Sequence, residues 1–194
     1  MKIEWRDNFF ANTEDAAITQ HKGIILDFYN VDSPVCRQME KETYSNRKVI
    51  GYINDHLVPF REIAEHKASF EDYGITWTPA VIFTDKFGQE HHRSIGFLGP
   101  EEFIATANLA LGKISISHSG FDGARHHFDK VIKEVPIPGI VEEAIFYRGI
   151  CKYKQTGEAE ELRKAAEFLA WKHPESIWAR KAAPYLTLKV LQPA

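Results

Sequence analysis

The chain contains only two cysteines in 194 residues, Cys36 and Cys151, and they lie far apart. That excludes the disulfide framework of a small secreted domain and makes a reducing compartment the expected setting. There is no Cys-x-x-Cys zinc pattern, no Gly-rich phosphate loop and no serine nucleophile elbow. No apolar run approaches the roughly 20 residues needed to cross a bilayer. Neither charge dominates: 24 Lys and Arg against 27 Asp and Glu leave a net charge of -3. Such a chain has no general attraction to nucleic acid or anionic membrane, so neither is an expected partner. The nine histidines include two adjacent pairs, His91-His92 and His126-His127, whose side chains point to different faces of any regular element. No two of them have the i, i+4 spacing of a helical metal site, and neither metal nor cofactor is expected. The start, Met1 to Asp7, is charged and lacks the apolar core of a signal peptide, which gives a cytoplasmic location as the expectation.

What the chain does have is enough apolar sequence, 44%, for one large domain or two small ones. The first half alternates helix and strand signals. A short helix is predicted over Asn12 to Gln20, and Gly23 separates it from the strand-like run Ile24 to Tyr29. Ser33 then has the character of an N-cap, with Pro34 at the first helical position, where its missing N–H costs nothing. Val49, Ile50, Ile53 and Leu57 follow at helical spacing, and Leu57 to Phe60 leads into a second strand. A helical segment near Phe70 to Tyr73 stops at Gly74. Ala80 to Phe83 is a third strand, Asp85 to Gly88 a turn, His92 to Phe97 a fourth strand, and Gly99-Pro100 opens a further helix.

The decisive stretch is Asp27 to Glu40, a strand running into the first turn of a helix, with Thr78-Pro79 ending 43 residues after Cys36. Ser33-Pro34-Val35-Cys36-Arg37-Gln38-Met39-Glu40 resembles the Cys-x-x-Cys-Lys-x-Met-Glu pattern of the thioredoxin superfamily, with serine in place of the first cysteine. Tyr44 to Val49, Tyr73-Gly74-Ile75, Asp85 to Gly88 and Gly96-Phe97 continue the match in order and spacing. The resemblance covers residues 3 to 113 and implies an α/β thioredoxin-like fold, a central mixed sheet of four to five strands flanked by helices.

It also implies roles for particular residues. In a working dithiol site a thiolate at the helix N-terminus attacks a substrate disulfide and the second cysteine resolves the mixed disulfide. Here the first position is Ser33, whose hydroxyl would need a general base to act, and no histidine lies near it in sequence; the other reading of Ser33 is a helix cap. Cys36 lies three residues into the helix, where burial raises a thiol pKa and the helix dipole lowers it. It reads either as the remaining reactive sulfur or as a small core residue. Asp27 matches the buried carboxylate that relays a proton to the second cysteine, or else is a strand-end aspartate bonded to backbone or water. The resemblance implies a cis bond before Pro79, leaving the Thr78 backbone free to pair with an extended client segment. Trp77 departs from the small residue expected beside it. It is a client-contacting aromatic, a lid over the thiol site or ordinary packing.

From residue 114 the pattern turns helical. Phe121, Ala124, Phe128 and Pro136 sit at offsets of 3, 7 and 15, the second-helix pattern of a tetratricopeptide repeat. Pro174 echoes Pro136, Leu111-Gly112 occupies the place of a first-helix Leu-Gly pair, and Phe146, Tyr153, Gly157 and Leu162 fill positions between. Ser176 is read as the cap of a closing helix with Ile177, Trp178, Ala182 and Tyr185 inward and a kink at Pro184. Glu158 to Glu161 reads as the charged opening of a helix, and Cys151 as a buried small residue or a partner for Cys36. The domains expected are therefore 1–113, thioredoxin-like, and 114–194, tetratricopeptide-like and all-helical, the second packing on the first.

Two functions from different classes fit. One is a client-binding, chaperone or protein-interaction module in thiol redox homeostasis, with client proteins or peptides as partners. Its plan resembles that of chaperedoxins. The other is a monothiol thiol–disulfide oxidoreductase acting through Cys36.

Overall fold

The computed structural model describes residues 2–7, 10–64 and 66–188. Its chain order is α1 (Phe10–Gln20), β1 (Gly23–Tyr29), α2 (Pro34–Glu42), α3 (Arg47–His56), β2 (Leu57–Ile63), α4 (Lys67–Asp72), β3 (Ala80–Thr84), β4 (Glu90–Ile95) and α5 (Pro100–Ser117). Then come α6 (Phe121–Glu134), α7 (Ile140–Thr156), α8 (Ala159–Lys172), α9 (Ile177–Ala182) and a 3-10 turn over Ala183–Thr187. Two compact units divide between Ala110 and Leu111, inside α5. Among the described residues no helix is long and apolar enough to cross a membrane.

In the first unit four strands form one mixed sheet in the order β2-β1-β3-β4. β1 lies parallel to β2 and antiparallel to β3, and β3 lies antiparallel to β4. Being central, β1 is covered on both faces, which is why its sequence runs almost continuously apolar where an exposed strand would alternate. Ile24, Leu26 and Phe28 enter one core with Ala17, Val58, Phe60, Ala80 and Ile82, edged by Phe10, Phe70 and Tyr73. The period of two turns Ile25, Asp27 and Tyr29 to the opposite face, where Tyr44, Phe83 and Phe103 meet edge to face or tilted. Asp27 is thus a carboxylate set into a hydrophobic face. The outer edge of β2 is capped by the N-terminal segment: Arg6 N–H donates to Pro59 O, and Arg61 N–H donates to Arg6 O. β4 forms the other edge and is half-exposed along its length.

The helical unit is built of antiparallel neighbours, α6 against α7 and α7 against α8, joined by short connections. Gly157 ends α7 in the left-handed region at φ 73°, a conformation that favours glycine, and its N–H reaches Tyr153 O. Two other glycines serve close approach. A Cβ on Gly112 would lie 2.4 Å from the Phe128 ring, and one on Gly149 would lie 2.6 Å from Ala165 Cβ. Each partner follows its glycine by the same sixteen positions, 112 to 128 and 149 to 165.

Ala124, Phe128, Leu162 and Leu169 are buried, whereas Phe121, Phe146 and Trp178 are partly exposed. Phe146 sits between the rings of Trp178 and Tyr185. The closing segment differs from expectation in two respects. Ile177, read as inward, is 53% exposed. Pro184 does not kink a continuous helix: α9 ends at Ala182 and the chain tightens into the 3-10 turn, because proline has no N–H for the α-helical bond.

Candidate functional site

Ser33 is the N-cap of α2, in extended backbone conformation, with Pro34 at the first helical position. Its Oγ accepts the N–H of Cys36 at 3.3 Å, so the hydroxyl satisfies a helix-end donor. The loop leading in is ordered by its own side chain: Asn30 Oδ1 accepts the Asp32 N–H at 2.8 Å. Asn30 N–H in turn points at Cys36 Sγ, 3.5 Å away. Cys36 keeps 9% of its surface and forms no disulfide; Cys151, buried in the helical unit, is also a free cysteine.

Cys36 opens onto a cleft of about 260 Å³. Asp27, Tyr29, Asn30 and Val31 line it from β1 and the loop beyond, Cys36, Arg37, Met39 and Glu40 from α2, with Tyr44, Arg61 and Pro79 completing the wall. The Thr78–Pro79 bond is cis. Pro79 O accepts the Gly96 N–H at 2.8 Å, and Ala80 pairs with both Phe28 and Ile95, which sets this loop at the C-terminal end of β1. Cys36, Asp27 and Pro79 are therefore brought to one cleft. Thr78 and Trp77 are not among its lining residues, and Trp77 is 67% exposed, so it is no lid over the thiol. Val31 and Ile95 are also half-exposed at the same end of the sheet.

Asp27 is a buried carboxylate and lines the same cleft as Cys36. Its partners are side chains, not backbone: Tyr44 OH donates to Oδ1 at 3.0 Å and Arg61 Nε–H donates to Oδ2 at 2.9 Å. Burial pushes the Asp27 carboxyl above its ordinary range, opposed by the charge of Arg61 and the Tyr44 hydrogen bond. The Tyr44 hydroxyl is raised well above its usual value by burial and by Asp27. Arg61 also donates Nη2–H to Glu40 Oε2 at 2.7 Å, and its guanidinium packs over the rings of Trp5, Tyr29 and Tyr44. The sequence reading missed Arg61, Tyr44, Glu40 and Trp5. The available signal was that a charged residue in a central strand needs a counter-ion, and Arg61 is the one basic residue of β2.

A family model described as a thioredoxin-like domain matches residues 10–110, just over half of the chain. The chain belongs to the thioredoxin-like domain family. Within it, the thiol:disulfide interchange protein DsbD of Ralstonia nicotianae is 29% identical over 102 residues. That match takes in 50% of this chain and 17% of the relative, so the chain spans about a sixth of that protein's length. Among solved structures, a thioredoxin from Thermus thermophilus aligns with TM-score 0.52 and 18% identity, over 60% of this chain and 94% of that one. A DsbH oxidoreductase aligns with TM-score 0.51 and 18% identity, over 57% and 85%. These two likenesses concern the fold. The turn itself has Ser33 capping α2, Cys36 three positions on, the cis Thr78–Pro79 bond, and the buried Asp27 bonded to Arg61.

Proposed function

We propose that this protein is a thioredoxin-like client-binding module with a degenerate site, which holds extended protein segments without turning over their disulfides. The observation that carries the reading is the Ser33–Cys36 turn. Ser33 Oγ is engaged as a helix cap at 3.3 Å from Cys36 N, and the remaining sulfur is nearly buried. Thiol–disulfide interchange, the activity named for the Ralstonia relative, starts from an exposed thiolate. The residue at the helix N-terminus supplies a hydroxyl that, among the described residues, bonds the Cys36 N–H and no basic side chain.

Surface chemistry supports the binding part of the proposal. Val31, Trp77 and Ile95 stand 50%, 67% and 54% exposed at the end of the sheet that carries Pro79. Tryptophan is enriched among residues that dominate binding energy. We further propose that the helical unit is a pair of tetratricopeptide-like hairpins, on the strength of the repeated glycine spacing. It displays apolar surface of its own at Phe168, Trp171 and Ile177. The second reading, a monothiol oxidoreductase, draws on one observation: Cys36 lines an open cleft.

A capture experiment separates the two. With an unfolded client that retains a disulfide bond in an aggregation-suppression assay, Trp77→Ala should weaken capture at least about tenfold, the equivalent of a lost hot spot, while Cys36→Ser leaves it unchanged. The monothiol reading requires the reverse order, with capture as a mixed disulfide that Cys36→Ser abolishes. If neither substitution matters, the cleft face is not the client site.

A further inference from the structure

We infer that Arg61 is a positioning residue that withholds Asp27 from proton exchange with Cys36, so that the site is silenced at two points and not one. This rests on the degenerate-site reading and deepens it. Asp27 and Cys36 line the same cleft. A buried carboxyl beside a thiol is placed to accept and return its proton, but only if the carboxyl itself can change protonation state at working pH. Here both oxygens are engaged, Oδ1 by the Tyr44 hydroxyl and Oδ2 by Arg61 Nε–H.

The clasp is held rigidly from every side. Arg61 stands opposite Asp27 in the β1–β2 register, and its far edge bonds Glu40, one helical turn beyond Cys36 on α2. Its planar face lies against Trp5, 4.5 Å from the ring centre, and Tyr29, at 4.7 Å. The charged and titratable groups that line the cleft with Asp27 are Arg61 from β2, Cys36, Arg37 and Glu40 from α2, Tyr29 from β1 and Tyr44 from the following turn. Burial raises the carboxyl above its ordinary range, and the charge of Arg61 is the largest influence opposing that rise. Arg61 is itself mostly buried and always charged, so titration of the arginine does not open the clasp.

The consequence concerns what happens when the missing sulfur is supplied by Ser33→Cys. The new thiolate attacks a client disulfide, one S–S bond breaks as the mixed disulfide forms, and one client thiolate leaves. Cys36 must then lose its proton and attack the mixed disulfide. This closes the internal disulfide and expels the second client thiolate, which takes up a proton. Dithiothreitol supplies the two electrons that reopen it. While Arg61 holds Asp27, the proton of Cys36 passes only to solvent base, which makes this step slow.

The test is insulin-disulfide reduction by dithiothreitol between pH 6 and 9, with the full chain and four variants. Ser33→Cys should turn over weakly, and Ser33→Cys with Arg61→Met at least about tenfold faster, a modest share of the ~10²–10⁴-fold typical of general acid–base catalysis. Its pH profile should gain an inflection that adding Asp27→Asn removes. A paired variant no faster than Ser33→Cys, or a gain that survives Asp27→Asn, overturns the inference. Should Arg61→Met unfold the chain, Ser33→Cys and Ser33→Cys with Asp27→Asn decide the matter. With the clasp in place they should agree within about twofold, and a tenfold loss overturns it. Turnover by the unmodified chain would sink the degenerate-site reading instead, a distinct result.

Discussion

Arg61 stands directly opposite Asp27 across the parallel β1–β2 pair and donates its Nε–H to Asp27 Oδ2 at 2.9 Å. The carboxylate is 1% exposed and the arginine 17%, so each charge depends on the other for its solvation. Breaking such a pair from one side leaves an uncompensated buried charge, and Arg61→Met should cost roughly 3–5 kcal/mol at pH 7. The pH dependence has a definite sign. Burial raises the folded-state pKa of Asp27, so the folded chain holds that proton more tightly than the unfolded one. The stability this contributes is present in acid and is lost as pH rises from the unfolded value through the folded one. Removing Arg61 extends that window upward. The penalty should therefore shrink near pH 4, as urea unfolding at the two pH values would reveal; an equal loss at both would assign the effect to the arginine stem.

The cap at Ser33 gives a local prediction. Ser33→Ala removes the acceptor for the Cys36 N–H and should cost about 0.5–2 kcal/mol. Amide exchange should quicken in the first turn of α2 and not in α3. Ser33→Asp keeps an acceptor and should restore protection.

Gly112 and Phe128 make a paired prediction in the helical unit. Phe128→Ala opens a cavity and should cost about 3–5 kcal/mol. Gly112→Ala forces a methyl into the Phe128 ring and should cost about 1–3 kcal/mol. In combination with Phe128→Leu the loss from Gly112→Ala should fall below its single-variant value, because the two share one space. Strictly additive losses in denaturant unfolding would show that the contact is not the cause.

Cys151 provides a reactivity control. Burial pushes its thiol up to about 11, so it holds almost no thiolate at neutral pH. Iodoacetamide at pH 8 should leave it intact in the native chain and modify it once denaturant is added. Site-resolved mass spectrometry should find Cys36 modified first, since its sulfur borders an open cleft. Early modification of Cys151 would mean that α7 opens locally.

How much of this was legible in the sequence varied with distance along the chain. The Ser33-Pro34 cap, the β1 run and the turn at Gly74 are local signals, and each marks a feature the fold contains. The clasp was not legible, because Asp27 and Arg61 are 34 positions apart and only the strand register brings them opposite one another. Glu40 and Tyr44 lay inside the recognised motif, yet nothing in their spacing shows that both turn toward β2.

The sequence by itself determined the succession of helices and strands, the serine cap of α2 and the change to an all-helical pattern after α5. These follow from hydrophobic period, capping and turn chemistry, which act over a few residues. Tertiary structure alone decided what the buried carboxylate is bonded to and that Trp77 stands clear of the cleft. Hydrogen bonds and ion pairs between distant elements depend on which side chains a fold places within about 3 Å of one another. That placement is a property of register and packing, not of any one stretch of chain.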